Sequence, residues 1–444
     1  MKNFKIMLFV WAIGFMIAGT LVSKAETAHA DSLISLKAAS SRLVYVDGRP
    51  ELLELRQADK DSIIRVINTF YYDQFRHFQD PDAPYFLFMS KEAGLSMGIG
   101  GSVRMRAYYD WDGAMPTSSF APYTIPIPAN PLSMRHFATT PSGTGLFFRV
   151  IGYHKRIGNY QLYIETDFTG YQGRDLKLKK AYAMVRDFTV GYASSTFSDP
   201  AAQPPVIDAA GNNNKFSHTS VLVRYMPCFK NRWHLGVSLE TPGTSVDQSS
   251  NVAKPRSEWL PDGAALIQYE WAKGQHVRLS GIVRSLPYRD MATASDHNVA
   301  GWGVHLSSVA HPTREITTYA NLTTGQGIGG LGGDMQYGHY DLLVDPMDGK
   351  VLYAPLTLGW SVGLQYNFRP ELFVSVAASQ THLHTREGSA GSEYKNGTFA
   401  CANVFWNIMP RLSVAAELDY GRRVNISTEG RNAWRANVMC AFTF

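Results

Sequence analysis

From Leu95 onward apolar and polar residues alternate along the chain. Leu95, Met97, Ile99, Val103, Met105 and Tyr109 share one face of an extended segment, and Ser96, Ser102, Arg104, Arg106, Tyr108 and Asp110 share the other. The same two-sided order returns at Leu358, Trp360, Val362, Leu364, Tyr366 and Phe368, set against Gly359, Ser361, Gly363, Gln365 and Asn367. It runs to the last residue, where Trp434, Ala436, Val438, Cys440, Phe442 and Phe444 oppose Arg435, Asn437, Met439, Ala441 and Thr443. A soluble sandwich alternates too, so a single strand decides little.

Number and connection decide more. Sixteen segments carry the pattern, at 95–111, 144–154, 159–170, 175–186, 188–195, 219–227, 232–240, 264–272, 275–284, 299–310, 314–323, 355–368, 371–383, 396–408, 411–423 and 433–444. Tight turns near Arg156 to Gly158, Arg186, Lys230, Gly274, Pro312, Pro370 and Pro410 alternate with long excursions at 112–143, 196–218, 241–263, 285–298, 324–354, 384–395 and 424–432. The short link at 171–174 is the one departure. Short turns at one end and long loops at the other mark a transmembrane antiparallel β-barrel, all-β, of about sixteen strands. On this reading 95–444 is the barrel, turns face the periplasm and loops the outside.

The earlier residues differ in kind. Lys2 and Lys5 precede an apolar run from Ile6 to Val22, and Ala28-His29-Ala30 offers the small residues of a cleavage site, so 1–30 reads as a signal peptide. An uncleaved anchor is the other reading. Segment 31–94 reads as periplasmic, with a short helix between Pro50 and Phe75 suggested by the spacing of Ile63, Ile64, Val66, Ile67, Phe70 and Tyr71. After residue 30 no run approaches the twenty apolar residues of a membrane helix.

Charge and cysteine narrow the picture only slightly. The formal net charge of +5 becomes +3 once residues 1–30, with three lysines and Glu26, are removed, a balance that argues against nucleic acid as a partner. Cys228, Cys401 and Cys440 are too few for a disulfide framework, although a Cys401 to Cys440 bridge stays open.

With one strand face given to lipid, the other lines the lumen. Its candidate pore-lining residues are Arg104, Arg106, Arg149, Lys180, Arg224, Arg278, Arg284 and Arg435, with the acids Asp110, Glu165, Asp167 and Glu417. A close group such as Arg104 and Arg106 would favour anions at a constriction. Alternatively the arginines pair with facing carboxylates and tie the wall together. The excursion at 198–218 is stiffened by Pro200, Pro204 and Pro205. It is the candidate constriction loop, with Asp199, Asp208, Asn213 and Lys215 as its residues, or else an ordinary surface loop. Gly325 to Gly330 fits a dinucleotide fingerprint but opens no predicted helix. His382 and His384 share a strand face without a clear carboxylate, so no metal and no cofactor is expected.

The run LKLKKAYAMVRDFTVGYASSTFSDP, with Lys180, Ala181-Tyr182, Gly191 and Ser195 to Asp199, resembles the strand-turn-strand before the constriction loop of DcaP-like trimeric porins. GSVRMRAYYD, beginning at Gly101, and the terminal Phe444 are similar as well. The resemblance implies a sixteen-stranded homotrimer of the bacterial outer membrane, in contact with lipid and lipopolysaccharide, that passes small hydrophilic solutes, anions among them. It also implies Lys180 facing the pore, loop 198–218 folded inward, and Phe444 as the signal read by the barrel-assembly machinery. The expected function is therefore passive diffusion, not catalysis. A barrel lipase or protease, or a secreted β-protein for adhesion or glycan binding, are the alternatives.

Overall fold

The computed structural model describes residues 86–90 and 95–444, apart from 114, 116, 170–172, 209, 231, 245–251 and 410. The expected signal peptide and the helix in 50–75 lie outside the described residues. Sixteen antiparallel strands form the molecule. They are β1 (Leu95–Trp111), β2 (Arg135–Thr140 continued by Gly145–His154), β3 (Gly158–Thr169), β4 (Asp175–Val185), β5 (Phe188–Ser194), β6 (Thr219–Tyr225), β7 (Trp233–Glu240) and β8 (Asp262–Ala272). The second half comprises β9 (Gln275–Asp290), β10 (Ser295–Ala310), β11 (Ile316–Gln326), β12 (Leu356–Arg369), β13 (Leu372–His384), β14 (Tyr394–Met409), β15 (Leu412–Asn425) and β16 (Gly430–Thr443).

Each strand pairs with the next, and β16 returns to β1 from Ser102↔Thr443 to Trp111↔Trp434, which closes the barrel. Closure leaves no open edge, the condition for strands in an apolar surrounding. Phe444 extends the seam: its N–H donates to the Gly101 carbonyl at 2.9 Å and its own carbonyl accepts from Gly101 at 2.8 Å. The short segment Phe86–Ser90 pairs with Leu95 to Ile99 of β1 and continues the row beyond Phe444.

Three connections differ from the pattern-based expectation. Within the supposed loop 112–143, Arg135–Thr140 pairs with β1, and one extra residue before Gly145 makes a bulge that shifts the alternation. The supposed loop 285–298 is mostly ladder, because β9 and β10 stay paired up to Asp290↔Ser295. Pro287 and the charged Arg289 and Asp290 disguised it as a loop; the Pro287 carbonyl instead accepts from the Arg256 amide at 3.0 Å. Excursion 424–432 shrinks to the turn 426–429. The short link after β3 is real, with β4 starting at Asp175 and a register shift at Glu165/Thr166 easing the bend.

Alternation sorts the two faces. Val103, Leu146, Ile164, Val237, Val283, Leu322 and Val362 are exposed outward. The inward neighbours Arg106, Arg278, Asn321, Ser361 and Arg435 are buried. Aromatic rings edge the outer belt. Trp111, Trp302, Trp360, Tyr420 and Trp434 sit toward the loop end, Trp111 stacked on Trp434 at 6.1 Å. Trp233, Tyr269, Tyr366, Phe368 and Trp406 sit toward the turn end. Among the described residues no helix is long and apolar enough to cross a membrane. The belt between two aromatic girdles is made of strands.

Candidate functional site

The barrel interior is organised by the segment between β5 and β6. Its prolines cannot donate, so their neighbours' carbonyls turn to donors on the inward faces of the wall. The Thr196 amide donates to Glu240 of β7 at 2.9 Å. Arg278 of β9 donates to the Ser198 carbonyl at 3.0 Å, and Asp199 receives His276 at 2.8 Å and Ser307 of β10 at 2.6 Å. Asn321 of β11 donates to Ala202, and Ser375 of β13 and Asn403 of β14 donate to Pro205. The Ile207 and Asp208 amides then donate to the two oxygens of Glu417 on β15, at 2.7 and 2.9 Å. Asn213 closes the circuit, donating to Ser379 and to the Gly397 carbonyl. Phe197, Phe216, Ile282 and Ile328 form one apolar anchor; Val206, Ala377, Phe399 and Phe120 form another.

Most of the arginines expected to line a pore hold this segment and its neighbours. Arg106 reaches Asp208 at 2.6 Å, and Arg435 bridges Asp208 at 3.1 Å and Asp110 at 2.6 Å. Arg104, half-buried, donates to the Ile207 carbonyl. Arg278 pairs with Asp199 at 3.3 Å and grips Gln268 at 2.8 and 2.6 Å. Arg284 joins Asp262 and Asp341, each at 3.0 Å, and Arg224 donates to the Ser194 carbonyl. Parity aims all of them inward, but Arg106, Arg224, Arg278, Arg284 and Arg435 are buried against loops or neighbouring side chains rather than facing open space. Burial alone would raise the Asp199 and Asp208 carboxyls. The guanidiniums overcome it: Arg278, with His276, pulls Asp199 down, and Arg106 and Arg435 pull Asp208 down.

The loop 112–134 was not expected inside, yet Phe120 and Ile125 are fully buried and the Phe120 amide donates to Asp208 at 2.8 Å. Arg435 donates to the Ser118 and Thr117 carbonyls and Arg106 to Ser118. Met115, Phe120 and Ile125, apolar side chains in a loop, were the available signal. The loop 327–355 also turns in: Phe216 bridges Gly332, and Asp334 accepts from Asn213 at 3.1 Å and Tyr394 at 2.9 Å.

One wall keeps its inward side chains accessible. On β3 and β4, Gln161, Tyr163, Asp167, Lys179, Lys180, Tyr182 and Met184 are half-buried and Lys177 is exposed. Glu165 sits between Lys179 at 2.7 Å and Lys180 at 3.7 Å. Arg149 of β2 donates to Gln161 at 2.9 Å beside the Tyr163–Tyr182 pair, whose rings lie 5.3 Å apart. Lys215 on the loop is half-buried. Lys177 and Lys179 were missed because alternation blurs at Leu176 to Lys180; the bulge at Lys179, opposite Glu165 and Thr166, is the reason.

Other constellations resolve into structure. Ser307 and His276 bind the same oxygen of Asp199, so the imidazole stands beside the acid and not beside the hydroxyl, unlike a nucleophile with its base. Ligand atoms of Cys401, Glu417 and Asp419 lie within 4.8 Å of one another, but both Glu417 oxygens already accept loop amides. Gly325 to Gly330 opens only a single 3-10 turn, and the Gly327 carbonyl accepts from Arg284 at 2.6 Å. Cys401 is buried and Cys440 exposed; both are free.

No protein-family model and no curated protein sequence matches the chain. Solved structures do. The outer-membrane channel DcaP of Acinetobacter baumannii is similar over 80% of this chain and 99% of its own, with 19% identity and a TM-score of 0.68. An anion-selective porin from Comamonas acidovorans covers 79% of this chain and all of its own, at 10% identity and a TM-score of 0.52. The sixteen-stranded porin barrel is therefore the fold of this chain.

Proposed function

We propose that the protein is a passive outer-membrane porin, working as a homotrimer, through which small hydrophilic solutes diffuse between the β2–β4 wall and the inward segment 195–218. The observation that carries this reading is the asymmetry of the interior. Where the loops touch the wall most inward side chains are buried, and on β3 and β4 the inward side chains apart from Glu165 stay accessible. A solute that discards part of its hydration needs polar partners along its path, and Gln161, Tyr163, Tyr182 and the lysines offer them.

Charge selectivity follows from the accessible wall rather than from the whole interior. Lys177, Lys179 and Lys180 stand there against Asp167 and Asp175, an excess of one positive charge, while Arg149 and Glu165 of the same wall are buried. A low-dielectric wall strengthens that field, and a modest anion preference results. The buried guanidiniums of Arg106, Arg278 and Arg435 are already balanced by Asp208, Asp199 and Asp110.

Planar bilayers with a salt gradient test both parts. Purified protein should give stable conductance steps with a reversal potential on the anion side. Replacing Lys177, Lys179 and Lys180 together by Gln should move that potential toward cations. A folded preparation without conductance steps would end the channel reading, and an unmoved reversal potential would end the lysine assignment.

A further inference from the structure

The outer girdle of aromatic rings is broken on one side of the barrel. Along one row toward the loop end, Trp360 of β12 pairs with Gln380, Gln380 with Thr398, and Thr398 with Arg422 of β15. In the row beyond, His382 pairs with Asn396, and His384 ends β13. Level with Trp360 and in the row beyond, β13 to β15 carry amides, a hydroxyl, imidazoles and a guanidinium, and the girdle resumes one row lower, where Tyr420 of β15 pairs with Trp434. The two imidazoles lie 4.3 Å apart between ring centroids. Lys395, at the bulge between Tyr394 and Asn396, is within electrostatic reach of His382.

Arg422 and His384 are exposed, and His382 and Lys395 half-buried. The contrast with the interior is sharp. Inside, Arg106, Arg278, Arg284 and Arg435 are each bound to a carboxylate. Among the described residues no hydrogen bond or ion pair to protein holds His382, His384, Lys395 or Arg422. Just below the patch the outward side chains are apolar: Ala378 and Ala400 lead to Tyr420 in the first row, and Val376 and Ala402 to Leu418 and Ala436 in the next. Glu387 and Glu429 are exposed in the turns beyond it.

Resting on the outer-membrane reading above, we propose that His382, His384, Lys395 and Arg422 form a binding site for the phosphorylated headgroup of an outer-leaflet glycolipid, with its acyl chains laid on the apolar rows below. Charge complementarity selects this occupant. Two fixed cations and two imidazole donors, unpaired at the level where an apolar belt gives way to polar surface, match phosphate esters held at that level by acyl chains. The guanidinium and ammonium bind phosphate oxygens, and the imidazoles donate in either charge state.

Native mass spectrometry of the full protein tests the proposal, using bisphosphorylated lipid A, dephosphorylated lipid A and inorganic phosphate as probes. Wild type should retain the bisphosphorylated lipid, and binding should fall about tenfold for the dephosphorylated lipid and about tenfold in Lys395→Gln/Arg422→Gln, the loss of one or two charge-assisted contacts. The pair His382→Gln/His384→Gln should show a smaller loss. Equal binding of both lipids, undiminished binding in the Lys395/Arg422 variant, or a site that inorganic phosphate alone saturates and lipid A does not displace would overturn it. Heat-modifiable gel migration and conductance, recorded on the same samples, should be unchanged by the substitutions. A wild type that binds the lipid yet never conducts would end the channel reading and leave this site standing.

Discussion

Arg278 illustrates what an interior guanidinium does in this barrel. It is buried, its Nε and one terminal nitrogen share Gln268, and the other reaches Asp199 and the Ser198 carbonyl. Arg278→Ala would strand the Asp199 carboxylate with His276 and Ser307, and breaking a buried pair in this way costs about 3–5 kcal/mol. The expected result is a folded barrel with a loosened inward segment, seen as noisy conductance and faster proteolysis near 200. Asp334 offers a different residue-scale test. Burial pushes its carboxyl up to about 7, against hydrogen bonds from Asn213 and Tyr394 and the Arg423 charge, which favour the ionised form. The native state thus holds its proton more tightly than the unfolded chain, whose aspartates titrate near 3.9. The stabilisation is complete below about pH 4 and is lost as pH rises through 7. Hydrogen exchange in 329–338, corrected for intrinsic rates, should accelerate over that window, and Asp334→Asn should be flat. These roles were not legible in the sequence, because parity tells which way a side chain points and not what it meets.

Among the elements, strands and loops differed in how far they could be read beforehand. All sixteen strands were visible as alternation, since a chain with lipid on one side and polar interior on the other must repeat every two residues. Their ends were not, where β9 and β10 outrun the apolar belt and Pro287 interrupts the composition. The segment 195–218 was marked by its prolines, but its contacts with opposite walls belong to the closed barrel. Gly363 faces Pro204 so closely that an added Cβ would lie 2.5 Å from that ring's Cβ. Gly363→Leu should therefore push the segment off β12, and single-channel conductance should change while strand content by circular dichroism does not. Deleting 199–214 should raise conductance severalfold if this segment narrows the path.

For the whole molecule, the outer belt sets stability. Val362 is 49% exposed midway along β12, on a face that water does not suit and lipid does. Val362→Arg should lower the unfolding free energy in vesicles by about 2–4 kcal/mol, the cost of a cation near the bilayer midplane. The reverse experiment on the interior would not behave alike, since inward sites such as Ser361 are bounded by loop and polar wall. The trimer proposed above would form through the outward faces too, and crosslinking through the exposed Cys440, on the lipid side of β16, measures whether that face lies near a neighbour.

By itself the sequence determined the period, the number of strands and their closure, because an antiparallel barrel in lipid leaves a local signature in every strand. It also marked which residues turn inward. Only the tertiary structure decided which of those are spent on holding loops and which face open space. Arg106 and Lys180 share the same parity; one is locked to Asp208 by a segment a hundred residues away and the other stays accessible. That difference depends on where a loop lands after the barrel closes, and such long-range contacts leave no periodic trace along the chain.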